Sequence, residues 1–100
     1  MEISIKKQEN EVLVHLAGRL DTPAAQDIAK DVEMLVQLAD GTIVMDCKEL
    51  TYISSSGLRI FLTLRKAAAE KGGKVIVRDI SDAIRSVFMM TGFLNLFEIQ

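Results

Sequence analysis

A chain of 100 residues, 49% hydrophobic and with a net charge of −2, is long enough to bury a core. The charge weighs against a nucleic-acid binder, which needs a basic stripe. No apolar run reaches the roughly 18 residues of a membrane span. The opening MEISIKKQEN lacks a signal peptide's apolar centre, so the expected location is the cytoplasm. A single cysteine, Cys47, agrees with a reducing compartment and reads as a small core residue.

In chain order, EISIKK alternates, with Ile3 and Ile5 on one face. Gln8, Glu9 and Asn10 interrupt it. EVLVHLAG then places Val12, Val14 and Leu16 on one face and Leu13 and His15 on the other, so the two runs predict a β-hairpin, with Gly18 closing the second strand. A helix is predicted over 23–39. Asp21 or Thr22 caps it, Pro23 suits its first turn, and Gly41 ends it. TIVMDC, 42–47, reads as a strand covered on both faces, and LTYI, 50–53, as a loop entering three serines. A second helix follows over 57–71, with Leu58, Phe61, Leu62 and Arg65 spaced for one face and Gly72-Gly73 as its stop. KVIVRD is the next strand. Ser81 caps a third helix over 82–91, Gly92 ends it, and VFMM within it reads as core. FLNLFEIQ is a short apolar tail, helical turn or strand. The order β-β-α-β-α-β-α predicts one domain over 1–100, an α/β fold with a mixed sheet of four to five strands and helices largely on one face.

Catalytic chemistry finds little support. A nucleophilic serine needs a base within reach. The lone histidine, His15, lies mid-strand and reads as half-exposed, and SSSG is not G-x-S-x-G. One His and one Cys make no zinc site, no phosphate-binding P-loop occurs, and no cofactor is called for. Asp21 and Asp46 are two carboxylates for which an approach at strand ends is open. What stands out is Ser54, Ser55 and Ser56, after a buried strand and before a helix. The free N–H groups of a helix start welcome negative charge, so these serines suit either a plain cap or a cap that carries a phosphate.

Three motifs then resemble one family. MDCKELTYISSSGL resembles the signature of the STAS domain in anti-sigma factor antagonists: an apolar strand ending in Asp46, the pair Tyr52-Ile53, then Ser54-Ser55-Ser56-Gly57-Leu58. GRLDTPAA resembles the family's G-x-L-D-x-x-x-A with Gly18, Leu20, Asp21 and Ala25. The last helix and tail resemble T-G-L/F-x-x-x-F. Nearly the whole chain is covered, in the right order.

The resemblance implies a STAS fold and a small cytoplasmic bacterial regulator that is not an enzyme. Such a protein binds an anti-sigma factor that is also a serine kinase, and so frees a sigma factor for transcription; a serine phosphatase reverses the kinase. The phosphorylated position, two before the glycine, is Ser55, with Ser54 and Ser56 as alternatives because Ser54 stands where many relatives have Asp. The implied partner surface is Asp21, Ser54, Ser55, Ser56, Gly57, Leu58 and Arg59. A subunit of a stressosome-like or lipid-transport assembly is the alternative.

Overall fold

The computed structural model describes residues 1–100. Strand β1 (Glu2–Lys7) turns at Gln8–Asn10 into β2 (Glu11–Leu20). Helices α1 (Thr22–Asp27) and α2 (Ala29–Gln37) lead to β3 (Thr42–Ile53). Then come α3 (Ser55–Lys71), β4 (Lys74–Arg78), α4 (Asp82–Thr91), a 3-10 turn at Phe93–Asn95 and β5 (Glu98–Ile99). The five strands form one sheet in the order β1-β2-β3-β4-β5. β1 pairs antiparallel with β2, and each later pair is parallel. Each crossover steps to the next strand in the same direction, and right-handed crossovers of that kind lay their helices on one face.

That face holds the core. Val12, Val14 and Leu16, then Ile43 and Met45, then Val75 and Val77 join the buried residues of all four helices in one cluster. All four phenylalanines belong to it. Phe61 meets Phe88 edge-on, with ring centroids 5.8 Å apart and planes at 85°. This is the arrangement that the ring quadrupoles favour. Cys47 is fully buried here, and burial, with smaller contributions from Asp46 and Asp79, pushes its thiol up to about 12. It is a core side chain and an inert thiol.

The helix-free face differs from the expectation of a β3 covered on both sides. Val44 and Ile76 are buried there, but outside the main cluster, flanked by their sheet neighbours rather than by a helix. Beside them runs a polar row: His15 Nδ1 lies 3.4 Å from Asp46 Oδ2, and Arg78 Nη2 lies 3.8 Å from the same oxygen. Burial raises the Asp46 pKa. The Lys48 N–H, His15 and Arg78 together outweigh it, so the carboxyl lies below its ordinary range. Asp46 therefore meets His15 and Arg78, not Asp21 as entertained from the sequence.

Other departures have local causes. The helix expected over 23–39 is two, because the backbone leaves helical angles at Ile28 (φ −98°, ψ 10°), a buried side chain around which the chain turns. Its last residues, 38 and 39, unwind into tight turn bonds before Gly41. The buried stripe of α3 is Gly57, Phe61, Leu64, Ala67 and Ala68, so Leu62 and Arg65 face outward. In VFMM, Phe88 is buried, but Met89 and Met90 are 64% and 80% exposed, because α4 buries the stripe of Ile84 and Phe88 alone.

LTYI is strand, not loop. Between the pairs His15–Asp46 and Ala17–Glu49, β3 advances one residue more than β2, and it does so again between Gly18–Leu50 and Arg19–Tyr52. Each bulge puts two consecutive residues outward, Lys48-Glu49 and Thr51-Tyr52, and returns Leu50 and Ile53 to the core. The alternation by which a strand is read is thereby lost. Gly18, at φ +101°, lies beside the second bulge, and β2 runs on to Leu20 rather than closing at this glycine.

Candidate functional site: two helix starts on one sheet edge

β2 and β3 run parallel and end together at the pair Leu20–Ile53. Each then enters a helix, so the starts of α1 and α3 lie on one edge of the sheet. The Ser54 N–H donates to the Leu20 carbonyl at 2.9 Å, tying the two junctions together.

The junctions are built alike. Asp21, in extended backbone, accepts from the Ala24 N–H through Oδ1 at 3.0 Å. Ser54, also extended, accepts from the Gly57 N–H through Oγ at 3.2 Å. Both are N-caps that satisfy a free donor of the first turn. Of the two caps entertained for α1, Asp21 fills the role. Thr22 instead reaches across to α3, its Oγ1 lying 3.2 Å from Ser56 Oγ.

The three serines thus have three different settings. The Ser54 oxygen is used by the cap. The Ser56 hydroxyl is half-buried and paired with Thr22. Ser55 is exposed at the first helical position, and its hydroxyl makes no hydrogen bond within the protein. Gly57 is buried, and the reason is packing, not an unusual backbone angle. A Cβ there would lie 2.8 Å from Ile53 Cγ1 and 2.8 Å from Leu20 Cγ. Leu58 is half-buried against the core, and Arg59 is exposed. A groove of about 350 Å³ opens between α1–α2 and α3, lined by Thr22, Ala25, Gln26, Ser56, Arg59 and Ile60 among others. Asp21, Ser54, Ser55, Ser56 and Arg59 therefore share one accessible region, while Gly57 and Leu58 support it from beneath.

No catalytic base stands here. His15 lies mid-strand on the helix-free face with Asp46 and Glu49, not with the serines. No three of the chain's His, Cys, Asp and Glu gather as metal ligands. No helix is long and apolar enough to cross a membrane.

A family model described as STAS domain matches residues 2–100. The chain belongs to the STAS domain family. Its relatives include an anti-sigma-B factor antagonist of Bacillus subtilis, 29% identical over 102 residues that cover 100% of this chain and 91% of that protein. The anti-sigma F factor antagonist of Paenibacillus polymyxa is 25% identical over 100 residues, covering 99% of this chain and 86% of that one. Among solved structures, the Bacillus cell fate determinant SpoIIAA in its phosphorylated form superposes with a TM-score of 0.76 at 21% identity, over 99% of this chain and 91% of that one. The fold of this STAS domain is therefore theirs.

Two features of the STAS edge were not singled out from the sequence. Thr22 was weighed only as a cap; the signal available was the topology, since two adjacent parallel strands that both end in helices must bring both helix starts together. The other is Arg19, whose guanidinium carbon lies 4.2 Å from the centroid of the Tyr52 ring. Its partner Tyr52 belongs to the family motif, but the sequence reads it as loop rather than strand.

Proposed function

We propose that this STAS domain is an anti-sigma factor antagonist whose binding is switched by phosphorylation of Ser55. The observation that carries the reading is the difference among the serines: Ser55 alone is exposed with its hydroxyl uncommitted, at the first position of a helix of 17 residues. Its relatives' designation as anti-sigma factor antagonists supports the same reading.

Unmodified, the edge presents small neutral hydroxyls over which a partner packs. Phosphorylation adds about −1.5 to −2 charge and three acceptor oxygens. The helix start accommodates this charge through its free N–H groups and dipole, so the fold persists. The partner surface meets a dianion it must desolvate. A penalty of about 3 kcal/mol lowers affinity roughly a hundredfold, with no large change of shape. The partner is an anti-sigma factor that is itself a serine kinase, a serine phosphatase restores the hydroxyl, and the exchange takes place in the cytoplasm. The 100 residues act as one domain without a cofactor and without catalysis of their own.

The test is to incubate wild type, Ser54→Ala, Ser55→Ala and Ser56→Ala with the kinase and ATP, to map phosphate by mass spectrometry and to measure affinity. Ser55→Ala alone abolishes modification while keeping partner binding, and the modified wild type binds more weakly. Phosphate on Ser54 or Ser56 refutes the residue; equal affinity with and without phosphate refutes the switch.

A further inference from the structure

Building on the Ser55 reading, we infer that Arg19, stacked on Tyr52, is a second contact for the same kinase partner and takes an acidic segment of it. The second bulge of β3 makes this platform. It turns Tyr52, which regular alternation would point inward with Leu50, to the outside, where it is 40% exposed. Thr51 Oγ1 donates to the Gly18 carbonyl at 3.0 Å and fastens the bulged segment to β2. Arg19, paired with Tyr52 in the sheet, then lays its guanidinium over the ring at 4.2 Å.

The chemistry follows from what Arg19 lacks. Arg19 makes no ion pair and no side-chain hydrogen bond, so its N–H donors are not committed within the protein and its one partner is the Tyr52 ring. A guanidinium resting over an aromatic face can still donate to a carboxylate and has less rotamer freedom to lose on binding than a free one. Arg59, exposed and also without an ion pair, flanks the serines from the helix side. Arg19 and Arg59 together outweigh the Asp21 carboxylate beside the switch, in a chain of net charge −2. That is the complement of an acidic partner surface. The platform is also continuous with the switch: Tyr52 is two residues before Ser54, and Leu20, next to Arg19, accepts the Ser54 N–H. A partner laid over the sheet edge covers Ser55 on the helix side and Arg19–Tyr52 on the other. Exposed Arg and Tyr are the residue types that most often dominate such contacts.

The probe is the kinase-like anti-sigma factor that phosphorylates the wild-type chain, purified separately, with affinity measured by calorimetry at low and high salt. Arg19→Glu weakens binding more than about tenfold, and Tyr52→Ala weakens it about tenfold. Arg19→Ala combined with Tyr52→Ala costs little more than either alone, because the pair acts as a unit. Tyr52→Phe, which keeps the aromatic face, binds like wild type. Arg19→Ala also flattens the salt dependence, which a merely structural role leaves unchanged. Arg19 is exposed, so Arg19→Glu decides the matter even where Tyr52→Ala loosens the strand. Affinity within about twofold of wild type for both Arg19→Glu and Tyr52→Ala overturns the inference. A wild-type chain that binds no such kinase, or binds it equally when phosphorylated, fails the Ser55 reading first, and the inference falls with it.

Discussion

The two strand-to-helix junctions are nearly copies of each other. Asp21 and Ser54 are the caps, Thr22 and Ser55 the first helical residues, Ala24 and Gly57 the third, and in both the cap oxygen takes the N–H of that third residue. They differ in charge. The α1 junction carries a fixed carboxylate, whereas the α3 junction carries hydroxyls. The first shows that this architecture accepts a negative group at a helix start; the second leaves the same place neutral. Because charge there is compatible with the fold, a switch can change what a partner meets without changing the protein's shape.

The strongest way to break the comparison is at the third helical position. Ala24 has room for its methyl group, while a Cβ on Gly57 would come within 2.8 Å of Leu20 and Ile53. Gly57→Val forces those side chains apart in a filled core, and overpacking of this kind costs roughly 2–3 kcal/mol. For a domain of this size that lowers Tm by roughly 10–20 °C. A thermal melt checks it. An unchanged Tm means that α3 slides easily over the strand ends and that its position does not set the serines.

The caps come next. Ser54→Ala leaves the Gly57 N–H without its partner and costs about 1 kcal/mol, and Asp21→Ala costs a similar amount at α1. Ser54→Asp, which copies the α1 junction onto α3, keeps the cap and leaves stability within about 0.5 kcal/mol of wild type. Urea unfolding of the three variants measures this. Ser54→Asp destabilising as much as Ser54→Ala breaks the equivalence of the junctions.

Asp46 is a carboxylate away from any helix start, and it separates acid sensitivity of the sheet from that of the caps. Its pKa is lowered in the fold, so its contribution is fully present above the unfolded value near 3.8 and is lost as pH falls through the folded value. Asp46→Asn therefore loses some stability at neutral pH, about 1 kcal/mol. It also shows a shallower loss between about pH 5 and pH 2. Parallel acid profiles for variant and wild type mean that the row with His15 and Arg78 does not hold the charged form.

Much of this was legible in the residues. Ile3 and Ile5, then Val12, Val14 and Leu16, place two strands by alternation alone, and Pro23, Ser81 and Gly92 mark helix ends by local chemistry. What stayed hidden depends on distant neighbours. The bulges at Lys48-Glu49 and Thr51-Tyr52 replace alternation with outward pairs, so LTYI, the last third of β3, read as loop and the Arg19–Tyr52 stack was invisible. The bend at Ile28 arises because a buried side chain turns the chain around itself, which a 3.6-residue period does not report. Met89 and Met90 looked like core because apolar composition says nothing about which stripe of α4 faces the sheet. In the candidate site, the three serines and Asp21 were legible as caps. Which hydroxyl is free depended on Thr22, 34 residues away from Ser56.

The smallest expected effect is the most telling for the comparison. Thr22 and Ser55 occupy the same position in their helices, yet Thr22 is paired with Ser56 and the Ser55 hydroxyl is not paired with anything in the protein. Ser55→Ala removes only an exposed oxygen, so stability changes by less than about 0.5 kcal/mol. Thr22→Ala breaks a side-chain hydrogen bond on the surface and costs somewhat more, up to about 1 kcal/mol. The phosphorylated wild type melts no lower than the unmodified protein, because the added charge falls on the positive end of α3. Differential scanning calorimetry on the four proteins tests all of this together. A large loss in Ser55→Ala would make Ser55 a structural residue after all. A lowered Tm on phosphorylation would mean that the switch acts by disturbing the helix rather than by charging its surface.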